Sequence, residues 1–316
     1  MSGIPTLPPQ PSFEQIEAFE EASSAATQLA AQPELALEQF TQPVKGLQIT
    51  SESNGNTYVM GDLLGEGAFG YVYEAEDVWR NSLAAKILKP RGTYEEIRAA
   101  ATQEFQKLLL LRHPNVTHVF DAFEFQHTFY LVTERCTSPL SGLFELEELR
   151  GNQWLLPVAR CLLQAVHYLH TNGYVHQDIH FGNIFASFHK NEMDAEETRS
   201  VTFKLADFGI TKVFAEIDAA NTMLNPGMLP PEYLDPSFGS LDHRVDIYHC
   251  GLVFLQLLMG RQLQFTNEEI LEGFPRRLAE KIDSPFGPAI AESLRRHVDQ
   301  RTFNAMRLWK ALTEAA

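Results

Sequence analysis

The chain has 316 residues, 44% of them hydrophobic, with a formal net charge of −16 and a pI near 5.1. This is enough apolar material for one sizeable core, or a bilobal pair of cores, plus a tail. The acidic balance repels DNA, RNA and anionic lipid and so argues against nucleic acid as a partner. Three sparse cysteines, Cys136, Cys161 and Cys250, argue against a disulfide framework. The start, MSGIPTLPPQP, has no basic segment followed by an apolar run, so a cytoplasmic protein without a leader is expected. The longest apolar stretch, residues 250–259, is interrupted by Gln256 and is too short to span a bilayer.

Residues 1–56 are rich in Pro, Gln, Ala and Glu, with seven glutamates against the single Lys45. Pro5, Pro8, Pro9 and Pro11 favour extended chain, and Phe13, Ile16 and Phe19 fall on one face of a helix running toward Ala31. The segment reads as an acidic tail or as a docking segment for a partner. From Thr57 the pattern changes. Residues 58–64, 71–76 and 82–88 read as three strands, 93–111 as a helix with Phe105, Leu108 and Leu111 at helical spacing, and 118–123 and 128–133 as two more strands. After residue 140 the chain becomes mainly helical, with helices over 152–172 and 242–259. The polar run SFHKNEMDAEETRS, residues 187–200, reads as a surface insertion between short strands. The expected fold is therefore α+β, a small antiparallel sheet with one helix followed by a larger helical part.

Several short motifs carry chemistry. Gly65, Gly67 and Gly70 allow a hairpin backbone to bend over phosphates and donate N–H groups. The same spacing occurs in dinucleotide-binding folds, but there a helix follows, whereas here the β-rich run Tyr71-Val72-Tyr73 follows Gly70. Lys86 lies in an apolar strand, where a lysine either faces solvent or is paired, and Glu104 in the next helix is the nominated partner. In His176-Gln177-Asp178-Ile179-His180-Phe181-Gly182-Asn183, Asp178 is suited to accept a hydroxyl proton and Asn183 to bind a divalent cation. Asp207-Phe208-Gly209 follows a strand and places a carboxylate where a magnesium ligand is needed.

Taken in order, these pieces resemble the protein-kinase signature series over about 260 residues, read as a catalytic domain at 57–316 with a small lobe near 57–135 and a large lobe near 136–316. The family's V-A-I-K appears as Leu83-Ala84-Ala85-Lys86, and its H-R-D as His176-Gln177-Asp178. The resemblance implies a bilobal fold using ATP and Mg2+ to phosphorylate a protein substrate, with Asp178, Lys86, Asn183 and His180 as catalytic residues. It assigns nucleotide contacts to Leu64, Gly65, Gly67, Gly70, Val72, Ala84, Lys86 and Glu104. Thr133 becomes a small gatekeeper, with Glu134 and Cys136 bounding the stretch whose backbone meets adenine. Asn183 and Asp207 become the metal ligands. Pro230-Pro231-Glu232 resembles the family's A-P-E, Arg301 its usual partner, and Asp246 the aspartate that holds the catalytic loop.

Three departures stand out. Gln177 replaces the arginine that commonly pairs with a phosphorylated activation segment, which counts against Thr211 or Thr222 as an activating site. His180 replaces the loop lysine of serine/threonine kinases, so a permanent cation becomes a group charged only when protonated, and lower or pH-dependent turnover is expected. Asn225 stands where a threonine is usual, facing His180. These changes keep two other readings open, a weak pseudokinase scaffold and a small-molecule kinase, whose loop reads H-G-D-x-H-x-x-N. The histidines at 167, 170, 176 and 180 cross from helix to loop and are not expected to bind zinc. The tryptophans, Trp79, Trp154 and Trp309, are expected in core or groove.

Overall fold

Apolar–polar alternation between Thr57 and Glu134 builds a sheet, and 3.6-residue periodicity after Leu140 builds helices. The computed structural model describes residues 42–52, 54–67, 70–89, 111–126, 128–143, 152–190, 199–207, 212–213, 217 and 224–316. By contact the chain divides into Met1–Gln103 with Phe120–Thr133, and Glu104–Val119 with Glu134–Ala316.

The first unit holds a six-stranded sheet in the order β1-β2-β3-β4-β6-β5. Its strands are β1 (Gln48–Thr50), β2 (Thr57–Glu66), β3 (Gly70–Asp77), β4 (Ser82–Leu88), β5 (Val119–Phe125) and β6 (Thr128–Glu134). The β1–β2, β2–β3 and β3–β4 pairs are antiparallel. The five expected strands are all present. The sheet starts earlier than the sequence reading placed it: β1 lies within the segment assigned to the tail, pairs with the start of β2, and buries Ile49 to 1% exposure. A three-residue strand with one apolar side chain leaves no alternation to read. The helix expected at 93–111 falls almost wholly on residues 90–110, outside the described residues, as does Glu104.

One face of this sheet packs Ile49, Tyr58, Met60, Tyr73, Ala85, Ile87, Phe123 and Tyr130 into a core. The rings of Tyr58, Phe123 and Tyr130 stack at 5.8 and 5.5 Å. Tyr58 donates its hydroxyl to the buried carboxylate of Asp121 at 2.9 Å, which satisfies two polar groups that would otherwise be costly to bury. Trp79 is neither in the core nor in a groove. It sits 83% exposed on the β3–β4 turn, where the Asp77 carboxylate accepts the N–H groups of Trp79 and Asn81.

The second unit contains β7 (Ser138–Pro139), α1 (Leu140–Leu143), α2 (Leu155–Thr171), β8 (Tyr174–Val175), β9 (Ile184–Lys190), β10 (Arg199–Leu205) and β11 (Lys212–Val213). It continues with α3 (Pro231–Leu234), α4 (Arg244–Met259), α5 (Asn267–Leu271), α6 (Phe274–Lys281), α7 (Gly287–Ser293) and α8 (Ala305–Glu314). In α2 the buried residues recur at three- and four-residue steps, the stripe of a one-sided helix. In α4 every residue from Val245 to Leu257 is buried, so this helix is surrounded on all sides. Strands β9 and β10 pair in unbroken register from Ile184↔Leu205 to Lys190↔Arg199. The insertion expected at 187–200 is thus narrower, because its flanks continue the hairpin, and only 191–198 fall outside the described residues. No helix among the described residues is long and apolar enough to cross a membrane.

Arg301 and Glu232 meet in this unit, as the resemblance implied. Two guanidinium–carboxylate bonds of 2.7 Å join them, both side chains are fully buried, and the guanidinium also donates to the carbonyls of Arg244 and Arg295. The pair fixes α3 against α4. Removing one member strands a buried charge, which typically costs about 3–5 kcal/mol, whereas replacing both with apolar groups costs far less. Arg301→Met is therefore expected to lower the thermal unfolding midpoint by several degrees, and Glu232→Leu/Arg301→Met by less than the single change, as calorimetry would measure.

Candidate active site

In the second unit, the segment from His176 to Asn183 links β8 to β9, and one buried carboxylate holds it. Asp246, in the first turn of α4, accepts the backbone N–H of His176 at 2.9 Å, the N–H of Gln177 at 2.8 Å and Nε2 of His170 at 2.8 Å. Burial pushes its carboxyl up, but the hydrogen bond and charge of His170, with His176 and the Gln177 N–H, outweigh burial and hold it below the usual range. These bonds fix Gln177 in the left-handed region at φ 69°, where a non-glycine residue is strained. The Gln177 side chain is fully buried, and neither end of its amide makes a hydrogen bond.

Asp178 and Asn183 face each other across the loop. Asn183 Nδ2 donates to Oδ2 of Asp178 and to its backbone carbonyl, both at 3.0 Å. Asp178 Oδ1 is buried and lies 3.4 Å from His180 Nε2, too long for a well-formed hydrogen bond. Burial raises the Asp178 carboxyl, but His180, His176 and His249 more than offset it, and the group stays below its ordinary value and ionised. One carboxylate oxygen is thus anchored, and the other lacks a strong donor.

His180 is seated by its backbone neighbour: its Nδ1 accepts the N–H of Gly182 at 3.0 Å, and its Nε2 lies 3.4 Å from Asp178 Oδ1. A Cβ at residue 182 would lie 2.8 Å from His180 Cε1, so only glycine allows this seat. Asn225 Oδ1 accepts the N–H of Gly227 and caps its own turn, the local bond asparagine favours before Pro-Gly.

Asp207 is placed by its neighbour. The Ala206 N–H donates to the Asn183 carbonyl at 2.9 Å, and the Ala206 carbonyl lies 3.1 Å from His176 Nε2. Both peptide groups before Asp207 are therefore tied to the catalytic segment, and Asp207 itself takes φ 61°. A carboxylate and an asparagine amide oxygen are ligand types that fit Mg2+, which takes one or two protein oxygens and completes its shell with phosphate and water. Among the described residues no three His, Cys, Asp or Glu side chains form a closed metal site.

In the first unit, Val72 lies opposite Lys86 in the β3–β4 register. Ala85 and Ile87 point into the core, so by alternation Ala84, Lys86 and Val72 share the other face. Thr133 Oγ1 reaches the Ala84 carbonyl at 3.4 Å. Leu64 and Gly65 lie just before the end of β2 at Glu66, and the three glycines divide by role. A Cβ at Gly65 would meet nothing within 4 Å, and one at Gly67 only the Gly70 carbonyl at 4.0 Å, whereas one at Gly70 would lie 2.4 Å from the Ile87 carbonyl. Gly70 is thus required by strand packing, and the other two leave open space. Sequence reasoning missed Lys89, whose ammonium bonds Glu66 and the Gly67 carbonyl and sits 4.7 Å from the Tyr71 ring centroid. A cation just past the strand lysine, opposite an acidic residue between the glycines, was the available signal. Phe208, Gly209, Thr211 and Thr222 lie outside the described residues.

His249, one turn along α4 from Asp246, is fully buried, and neither ring nitrogen makes a hydrogen bond of good geometry. Burial pushes it down to about 4, against the pull of Asp246, Asp178 and the Met228 backbone, and burial lowers His176 as well. A histidine depressed in the folded state takes up its proton first in the unfolded chain, so its cost appears as pH falls from 6.5 toward about 4. Acidification across this window is expected to lower the unfolding free energy, and His249→Gln to remove roughly 2–3 kcal/mol of that slope, as denaturant titrations at each pH would read.

The comparisons with known proteins agree with this geometry. The family model described as protein kinase domain matches residues 58–299. The chain is 27% identical over 211 residues to a serine/threonine-protein kinase, TIO, of Arabidopsis thaliana, covering 65% of this chain and 15% of that protein. It is 25% identical over 242 residues to a probable serine/threonine-protein kinase, PLK, of Dictyostelium discoideum, covering 74% and 23%. It is 31% identical over 216 residues to the serine/threonine-protein kinase STK11 of Gallus gallus, covering 64% and 46%. The chain spans less than half the length of each of these three relatives. With a family match over most of its length and the catalytic segment, paired Asp178 and Asn183, and Glu232–Arg301 bridge in place, this chain belongs to the protein kinase domain family.

Proposed function

We propose that the chain transfers the γ-phosphate of Mg2+-ATP to a serine or threonine hydroxyl of a protein. The observation that carries this reading is the divided state of Asp178, with Oδ2 held by Asn183 and Oδ1 buried without a strong donor. A buried acceptor left unsatisfied costs about 1–3 kcal/mol, and such a cost persists where the group has work to do. An incoming hydroxyl fits that role: it donates to Oδ1 while its oxygen points at the phosphorus. Lys86 would hold nucleotide phosphates, and the open backbone at Gly65 and Gly67 would approach them. Asn183 and Asp207 would hold Mg2+, which when bound neutralises phosphate charge and orients the transferred group. Glu134 and Cys136 bound the backbone that would meet adenine. The three free thiols, Cys136, Cys161 and Cys250, support work in a reducing compartment such as the cytoplasm.

His180 favours the small-molecule kinase as a second reading. The Glu232–Arg301 bridge and the Asp246 anchor oppose it, because the resemblance ties them to the protein-substrate platform. The pseudokinase reading is opposed by the presence of every residue that Mg2+-ATP chemistry requires.

Asp178→Asn is expected to reduce phosphate transfer to a generic basic protein by about 10²–10⁴-fold while leaving nucleotide affinity within a small factor of wild type. Lys86→Met should damage transfer strongly. A radiolabel assay checks both, and label on small hydroxyl compounds instead of protein would move the assignment to the second reading. Because His180 Nε2 lies 3.4 Å from Asp178 Oδ1, His180→Gln, which keeps a donor near the Nε2 position, is expected to retain more activity than His180→Ala. Equal losses in the two variants would remove this contact from the mechanism.

A further inference from the structure

The strand that leads to Asp207 carries a buried cation that the catalytic reading does not use. Lys204, on β10, is 11% exposed, and its Nζ bonds Glu134 Oε1 at 2.8 Å; the Glu134 side chain is 20% exposed. The same oxygen accepts the backbone N–H of His118 at 2.8 Å, and the Glu134 N–H donates to the His118 carbonyl at 2.9 Å. Glu134 is therefore held to His118 through both backbone and side chain, and to β10 through a charge-assisted bond. The same stretch of chain clamps β10 further. Asn115 Nδ2 donates to the Phe203 carbonyl at 2.9 Å, the Leu205 N–H to the Asn115 carbonyl at 2.8 Å, and the Thr117 N–H to the Leu205 carbonyl at 3.0 Å. One continuous network thus runs from the backbone at Glu134 to the residue before Ala206-Asp207.

We infer that Lys204 and Glu134 are positioning residues for nucleotide binding, and that their ion pair sets the backbone from Glu134 to Cys136 in fixed register with Asp207. This rests on the proposed kinase reading, in which that backbone receives the adenine and Asp207 the metal. The physical reason is the double use of one oxygen. Without Lys204, a mostly buried carboxylate loses a charged partner that offsets its desolvation, so it turns toward water and releases His118. The Glu134 backbone then loses its side-chain anchor, and an uncompensated negative charge stands beside the site of an anionic nucleotide. Cys136 registers the same local charge: burial raises its thiol to about 12, Glu134 adds to the rise and Lys204 opposes it.

The test uses the full chain. Fluorescent ATP-analogue titration gives nucleotide affinity, and steady-state transfer to a generic basic protein gives kcat and KM, for wild type, Lys204→Met, Lys204→Arg, Glu134→Gln and Glu134→Gln/Lys204→Met. Melting temperatures identify any variant that has failed to fold. The expected result is about a tenfold loss of nucleotide affinity in Lys204→Met and in Glu134→Gln, with kcat in Lys204→Met within about threefold of wild type. Lys204→Arg should recover most of the loss. The double variant should be no weaker than either single one, the mark of two groups acting as a pair. Affinities unchanged in both single variants, additive losses, or losses confined to kcat would overturn the inference while leaving the kinase reading intact. A wild-type chain that binds no nucleotide would overturn the kinase reading and this inference with it.

Discussion

One buried carboxylate, Asp246, organises the catalytic segment. A carboxylate fully removed from water is tolerated only when hydrogen bonds replace its hydration, and here the donors come from the chain that needs placing: two consecutive backbone N–H groups and one histidine. The bonds act on backbone and so hold the path of the loop regardless of most of its side chains. They also keep Gln177 in a left-handed conformation that the residue would not adopt alone. From that fixed path follow the Asp178–Asn183 pair, the seat of His180 against Gly182, and the two bonds that tie Ala206 beside Asp207. The helix that carries Asp246 is buried all round, which makes the anchor as rigid as the core itself.

Much of this was legible in the sequence. The strands at residues 57–88 and 119–134 followed from alternation, and the glycines, Lys86, Asp178, Asn183 and Asp207 from ordered motifs. What the sequence could not show were contacts between side chains far apart in the chain. Lys204 reads as an ordinary strand lysine until Glu134, 70 residues away, is seen beside it. The seat of His180 depends on the donor that meets Nδ1, and that donor is a backbone N–H two residues on, whose direction no composition reveals. The cap that Asn225 makes is a further case: its amide oxygen takes the Gly227 N–H, a local bond set by backbone direction. The extra strand β1 escaped because three residues are too few for a period.

The seat of His180 changes how this variant loop is understood. A lysine at this place would bring a permanent charge, whereas the histidine here turns Nε2 toward Asp178 and accepts a hydrogen bond from the backbone at Nδ1. Together with Gln177 in place of arginine, the loop has given up two permanent cations near the candidate base. The surroundings of Asp178 are consequently set by the Asn183 bond and by His180, His176 and His249, the last two lowered by burial.

The tether of Lys89 to the glycine-rich turn has a thermodynamic consequence. A turn with two glycines in open space samples many backbone conformations, and closing it over any ligand costs the entropy of all those it gives up. Lys89, with only 14% of its side chain exposed, grips Glu66 and the Gly67 carbonyl from the end of β4 and excludes part of that ensemble before anything binds. Part of the ordering cost is thus met during folding, and the turn meets a ligand from a narrower starting distribution than its composition suggests.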